Sequence, residues 1–290
     1  MALGASGSAG QAMYRAAMKT LMGLRPSFRE EHVAIIQAFL THHWEESGRA
    51  GFVLGMSGGL DSSVTAKLAA EAIGPERVLG LALPLKAGTS EDEEDARGWA
   101  EELGIHFRTI GIGPMVDPIV KALAIPTEDK VGLGNAQART RMIALYQVAR
   151  TEDRLVIGTG NKSEVLVGYF TLFGDGGCDF APIGDLYKTQ VREMARYLEV
   201  PERILAKVPS AGLWAGQTDE GELGVAYEDL DRVLLGLELE MPEEEIASRT
   251  GLSGEVVKRV SAMVQGSIHK RKMPLIPKVG IRTLGLDWRE

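Results

Sequence analysis

Ser57-Gly58-Gly59-Leu60-Asp61-Ser62-Ser63 packs hydroxyls, two glycines and a carboxylate into one short stretch. It follows the apolar run Phe52-Val53-Leu54-Gly55-Met56, which reads as a buried parallel strand, and it opens a helix over residues 64–73. Such a strand-to-helix turn aims free backbone N–H groups outward, and its glycines let a ligand come close to the chain. Phosphate oxygens bind at such a place. No Gly-Lys-Ser/Thr follows the glycines, so this is not a Walker loop. Asp61 would repel a phosphate unless a hard cation sat between them, which implies Mg²⁺. A second glycine-bearing segment, Gly158-Thr159-Gly160-Asn161-Lys162-Ser163-Glu164, follows the apolar run Leu155-Val156-Ile157. Glu164 follows that strand as Asp61 follows the first. Two carboxylates from adjacent strand ends can hold one Mg²⁺. Lys188 is a natural point charge for phosphates, and Thr159 and Ser210 are hydroxyls able to contact a nucleotide.

These residues need a frame. Apolar strands at 52–55, 78–83, 107–110 and 155–158 alternate with helical patterns at Glu31–Ser47, from Glu91 onward and at 135–150. That alternation implies an α/β fold, a Rossmann-like parallel sheet with helices on both faces, whose ligands bind outside the carboxyl ends of the strands. Both glycine-bearing loops fall at that edge. Thr89 or Ser90 can cap the helix that begins with the acids Glu91–Asp95. From Asp185 onward the pattern is a helical C-terminal third, with helices expected at 186–198, 227–237, 243–250 and 255–265. The Gly-rich, polar segment 209–224 is long for a structureless connection and reads as a lid. Residues 245–260 have helix-turn-helix grammar. Glu255 stands where a recognition helix needs donors for bases, so they read instead as a packed helical hairpin.

The 290 residues have 44% hydrophobic and 25% charged content, which is globular composition. A net charge of −8 argues against a nucleic-acid partner, and no apolar run is long enough for a membrane partner. A single cysteine, Cys178, fits a cytoplasmic location. Residues 1–30 read as a flexible N-terminal extension and arm, and residues 31–290 as one domain.

The Ser57–Ser63 heptapeptide resembles the pyrophosphate loop of N-type ATP pyrophosphatases, which adenylate a substrate and release pyrophosphate. Downstream, the chain resembles one branch of them, the NAD synthetases. The likeness lies in Gly134-Asn135-Ala136-Gln137-Ala138-Arg139-Thr140-Arg141-Met142, the 158–164 segment and Gly168-Tyr169-Phe170-Thr171-Leu172-Phe173-Gly174-Asp175-Gly176-Gly177-Cys178-Asp179. It continues through Leu186-Tyr187-Lys188, Pro209-Ser210-Ala211-Gly212-Leu213, Asp219-Glu220 and His269-Lys270-Arg271, so that it covers roughly residues 31–275.

The resemblance implies an ammonia-dependent ligase of NAD biosynthesis, with the adenine nucleotide alpha hydrolase-like fold. It implies ATP binding at Gly55, Met56, Ser57, Gly58, Gly59, Leu60, Asp61, Ser62, Thr159, Lys188 and Ser210, with metal on Asp61 and Glu164. Deamido-NAD (nicotinic acid adenine dinucleotide) falls to Arg139, Asp179, His269 and Lys270. Asp175 and Lys188 become the catalytic pair, Asp175 orienting or deprotonating ammonia. A homodimer is implied as well. Leu172 stands where many members carry a substrate-binding Lys, and Ala82 where bacterial members commonly carry Arg. Cys178 lies inside the synthetase block and only about 50 residues precede the loop, so a glutaminase domain is not expected. Two alternatives share the loop: another pyrophosphate-loop amidotransferase such as GMP synthetase, and a non-catalytic ATP-binding protein.

Overall fold

The computed structural model describes residues 24–88, 90–214 and 216–282. Four strands, β1 (Gly51–Gly55), β2 (Val78–Ala82), β3 (His106–Thr109) and β4 (Arg154–Val156), pair in parallel in the order β3-β2-β1-β4. Helix α1 (Glu31–Ser47) precedes β1, α2 (Leu60–Ile73) follows it, and α3 (Glu91–Leu103) follows β2. Between β3 and β4 run α4 (Gly113–Ala122) and α5 (Lys130–Thr151). After β4 come α6 (Lys162–Val167), α7 (Lys188–Tyr197), α8 (Glu202–Leu205) and α9 (Asp219–Leu223). The chain continues through α10 (Tyr227–Glu238), α11 (Glu243–Thr250) and α12 (Gly254–Gly266) to a 3₁₀ turn at Ile268–Arg271.

Strand alternation divides the core. Phe52 and Leu54 of β1 point into a cluster closed by Val33, Leu40, Val64, Leu68, Trp99 and Met194, from α1, α2, α3 and α7. Val53, with Leu79, Leu81 and Val156, points to the other face, against Val116 of α4 and Ala144 and Ala149 of α5. Complete burial of a side chain such as Phe52 or Leu54 is worth about 1.5–3 kcal/mol, so slipping β1 by one residue would be prohibitive. A third cluster joins Tyr187, Leu230, Val233, Ile246, Val257 and Val260, which welds α10, α11 and α12 into a layer. The helix-turn-helix look-alike therefore spends its apolar face on α10. No helix among the described residues is long and apolar enough to cross a membrane.

Several boundaries differ from the sequence expectation. Helix α2 begins at Leu60, four residues earlier than expected, because Gly58 takes a left-handed φ of 74° and Gly59 an extended one, so the turn is complete before Leu60. Asp61 consequently lies in the first helical turn. Helix α5 starts at Lys130 because the Asp129 carboxylate accepts the Gly132 N–H at 2.8 Å. Helix α4 was hidden by Pro114 and Pro118; the first sits at the helix start, where a missing N–H costs nothing. Ser90 caps α3 by accepting the Glu93 N–H at 3.2 Å, while Thr89 lies outside the described residues. Of the expected arm, residues 1–23 lie outside them too. Within the remainder Leu24 is buried, and the Phe28 N–H donates to Glu193 of α7 at 3.0 Å.

Candidate active site

Strands β2 and β3 lie on one side of β1 and β4 on the other, so the strand order reverses between β1 and β4. Open α/β sheets bind ligands at such a reversal. The loops leaving these two strands, 56–59 and 157–161, meet there. In the first, the Gly59 N–H donates to Ser57 Oγ at 3.2 Å, and the Ser62 and Ser63 hydroxyls donate to the Gly59 carbonyl at 3.0 and 2.8 Å. Ser62 and Ser63 are thus buried braces of the turn, and the Met56 side chain is buried as well. Ser57 is the exposed residue of the turn, with Gly59, Leu60 and Asp61 half-buried beside it.

Lys188, the first residue of α7, is 4% exposed. Its Nζ donates to the Asp61 carboxylate and lies 3.5 Å from Glu164 Oε1. Glu164 is held by the α6 capping box, in which Asn161 Oδ1 accepts the Glu164 N–H at 3.1 Å and Glu164 Oε2 accepts the Asn161 N–H at 3.3 Å. Residues expected from far apart in the chain therefore converge. A third carboxylate joins them. The Tyr227 hydroxyl donates to Asp219 Oδ2 at 3.1 Å and sits 3.4 Å from Glu164 Oε1. Asp219 is itself buried, and its Oδ1 finds no hydrogen-bond partner among the described residues.

One ammonium cannot balance three carboxylates. Burial raises Glu164 to about 7; Lys188 opposes that rise, and Asp61 and Asp219 add to it. Burial disfavours the Lys188 ammonium, but Asp61 and Glu164 outweigh it and keep the group protonated. Burial also raises Asp219, against the pull of Lys188 and the Tyr227 hydroxyl. With all three carboxylates ionised the group carries a net charge of −2, which one divalent cation would balance. Its free donors are hard oxygens, including the unpartnered Asp219 Oδ1, which suits Mg²⁺.

The residues expected to hold the second substrate gather on the 168–176 turn, with two exceptions. Arg139 Nε donates to the Leu172 carbonyl at 3.3 Å, and Asp175 Oδ1 accepts the Thr171 N–H at 2.8 Å. Lys270 Nζ donates to the Gly168 and Phe170 carbonyls at 2.7 and 2.8 Å. Asp175 keeps an exposed rim yet is surrounded by protein, and that desolvation raises its carboxyl despite the Thr171 N–H and Lys270. Asp179 instead serves the sheet edge, accepting the Val156 N–H at 2.7 Å and the Tyr146 hydroxyl at 3.0 Å. His269 Nδ1 lies 3.1 Å from the Gly266 carbonyl of its own helix end. Thr159 is half-buried in the second loop; Ser210 is exposed, its Oγ accepting the Gly212 N–H at 3.1 Å.

The NAD synthase family model matches residues 32–274. The chain belongs to the NAD synthase family. The match spans the pyrophosphate loop, the 168–179 block and the His269-Lys270-Arg271 block together. Similar members include the NH₃-dependent NAD⁺ synthetase of Thermococcus kodakarensis, 49% identical over 247 residues, which is 85% of this chain and 96% of that one. Among solved structures, the NMN synthetase from Francisella tularensis is 38% identical with a TM-score of 0.76, covering 87% of this chain and all of that one. The NH₃-dependent NAD synthetase from Campylobacter jejuni is 32% identical with a TM-score of 0.73, covering 86% and 98%.

Asp219, Tyr227 and Arg271 are members of the site region that carry no role in the sequence reading. Arg271 donates to the Leu166 carbonyl at 2.6 Å and the Val264 carbonyl at 2.8 Å, and so ties the end of α6, which bears Glu164, to α12. The sequence signals for Asp219 and Arg271 were their places in the Asp219-Glu220 and His269-Lys270-Arg271 blocks. Tyr227 gave none beyond its position.

Proposed function

We infer that this chain is an ammonia-dependent NAD synthetase: it amidates deamido-NAD with ammonia at the expense of ATP and yields NAD, AMP and pyrophosphate. The observation that carries the reading is the Lys188 ammonium held between Asp61 and Glu164 at the β1/β4 reversal, in a chain matched by the family over residues 32–274. That span includes the blocks that GMP synthetase lacks.

The nicotinate carboxylate attacks the α-phosphorus of ATP, and the bond to pyrophosphate breaks. The leaving charge grows beside the 57–60 backbone and Lys188, groups already fixed in place before the reaction begins. Mg²⁺ on Asp61 and Glu164, with Asp219 beside them, would supply charge neutralisation of the phosphates when bound. Ammonia then attacks the acyl adenylate, AMP departs, and Asp175 takes the surplus proton; its raised pKa makes it the better base for that step. Thr159 and Ser210 are assigned to ATP, and Arg139, Asp179, His269 and Lys270 to the dinucleotide.

AMP and pyrophosphate release should depend on deamido-NAD plus ammonium, and glutamine in ammonium-free buffer should not replace it. Efficient use of glutamine, or release without an acceptor, would overturn the assignment. A second acceptor is worth testing in the same assay. The Francisella relative is named an NMN synthetase, and Leu172 lacks the Lys common in the family, so nicotinate mononucleotide is the alternative. A higher kcat/KM for the mononucleotide would select it.

We also propose a homodimer. Met115 of α4, Leu123 at its C-terminal cap, and Val131 and Ile143 of α5 expose apolar side chains on two helices that pack together. An obligate interface typically exceeds about 2,000 Å² and is apolar at its core. Sedimentation should show twice the 31.3 kDa chain mass, and Ile143→Asp should lower it to one chain. A fully active wild-type monomer would refute the interface.

A further inference from the structure

Asp231 of α10 is fully buried, and among the described residues no lysine or arginine pairs with its carboxylate. It accepts instead from the first turns of two helices, α6 and α7, at once. The Ser163 hydroxyl donates to Oδ1, and the Thr189 backbone N–H donates to Oδ2 at 2.8 Å. Ser163 Oγ, itself fully buried, accepts the Lys188 N–H at 2.9 Å. A single relay thus runs from α10 through Ser163 to the backbone of Lys188, with a branch to the next residue. Ser163 stands immediately before Glu164, and Lys188 opens α7. The two groups that meet in the charge cluster are therefore each one residue from, or part of, the same hydrogen-bonded junction.

A buried carboxylate without a cation is an expensive way to hold a helix end, because it loses hydration and regains only dipolar partners. Ser, Thr or Asn at the α7 start would cap those N–H groups at lower cost. The capping residue of α7 is Tyr187, whose side chain accepts no such bond in that role. What Asp231 adds beyond a cap is connection: its two oxygens fix the Ser163–Glu164 turn and the Lys188–Thr189 turn to one rigid point in the α10 layer.

We propose that Asp231 is a positioning residue for the adenylation step, setting the Lys188 ammonium against Asp61 and Glu164 by holding Ser163 and the first turn of α7. It touches no reacting atom. The proposal rests on the amidation reading above, and the two fail separately. Wild-type chain that does not amidate deamido-NAD sinks that reading; the variants below test only the relay.

The experiment compares Asp231→Asn, Ser163→Ala and their double variant in steady-state assays on the purified full-length chain, with unfolding temperatures alongside. A displacement of about 1 Å in a group that stabilises charge can cost about 100-fold. Asp231→Asn is isosteric but leaves one of the two donors facing an amide N–H₂, so kcat should fall about 10- to 100-fold. The KM for deamido-NAD should stay within about twofold, because the acceptor residues lie on the 168–176 turn and outside the relay. Ser163→Ala, which breaks the same path at its middle, should give a similar kcat loss, and the double variant should be no worse than the weaker single one. Should Asp231→Asn fail to fold, Ser163→Ala with an intact unfolding transition carries the same test. A folded Asp231→Asn or Ser163→Ala variant with wild-type kcat overturns the proposal. So do losses that multiply in the double variant, or a loss appearing only as raised KM for deamido-NAD.

Discussion

Lys188→Met is expected to lower pyrophosphate release by about 10³-fold at saturating ATP. Methionine keeps the volume and the unbranched stem, so the change removes a charge and little packing. Among the described residues, Lys188 is the one cation beside Asp61, Glu164 and Asp219, and it is almost fully buried. Two losses follow from one substitution. The phosphates lose a fixed countercharge that needs no reorganisation as the leaving group departs. In metal-free protein, the carboxylates lose the partner that offset their burial, a defect that typically costs about 3–5 kcal/mol.

The second loss has a pH signature. Glu164 is raised from 4.5 to about 7, so the folded chain holds its proton over a range where the unfolded chain has released it. The stability this contributes is complete below about 4.5 and is lost as pH climbs through about 7. Removing Lys188 deletes the largest influence that lowers Glu164, so its carboxyl rises further and the loss extends to higher pH. Unfolding temperatures in chelator should therefore separate little near pH 5 and widely near pH 8. A gap that does not change with pH would show that Lys188 is not the countercharge of these carboxylates. Near-normal turnover would remove it from the chemistry.

The pieces of this site that the sequence displays are those built from neighbours along the chain. Hydroxyls and glycines after an apolar run announce the pyrophosphate loop, because strand, turn and helix start are local. Glu164 is legible for the same reason, since it follows the apolar run of β4 closely, as Asp61 follows that of β1. Hidden pieces depend on pairings across long stretches of chain. Ser163 meets Asp231 only because α10 packs under the α6–α7 junction, and Arg271 meets the Leu166 carbonyl only because α12 lies beside α6. Nothing in an isolated Asp on an amphipathic helix distinguishes a buried brace from a solvated surface acid. Asp179 shows the same gap in reverse. Its carboxylate takes the Val156 N–H that a neighbouring strand would otherwise bind, a use that depends on β4 being an edge strand. The start of α2 was misplaced because helix periodicity marks buried faces, whereas the first turn is defined by the backbone of Gly58 and Gly59.

Asp61→Asn should separate activity from stability more cleanly than any other substitution in the chain. The amide matches the carboxylate in shape and can still face Lys188 and the Asn161 side chain, 3.5 Å away. It cannot replace the charge that a hard cation requires. Pyrophosphate release should fall by about 10²- to 10³-fold at ordinary Mg²⁺, with the Mg²⁺ needed for half-maximal rate raised at least about tenfold. The metal-free fold should not suffer. Asp61 is one of the charges that push Glu164 and Asp219 upward, so neutralising it lets both carboxylates ionise at lower pH, and these two then take over as the partners of Lys188 that Asp61 had led. An unfolding temperature equal to or above that of the wild type in chelator, together with the lost turnover, is the expected pair of results. The wild-type arrangement is then one in which like charges are held together at some cost in stability until a cation joins them, as strained sites generally are. Near-normal turnover of Asp61→Asn at ordinary Mg²⁺ would take Asp61 out of the metal site. A marked drop in its metal-free stability would show instead that Asp61 serves mainly to neutralise Lys188.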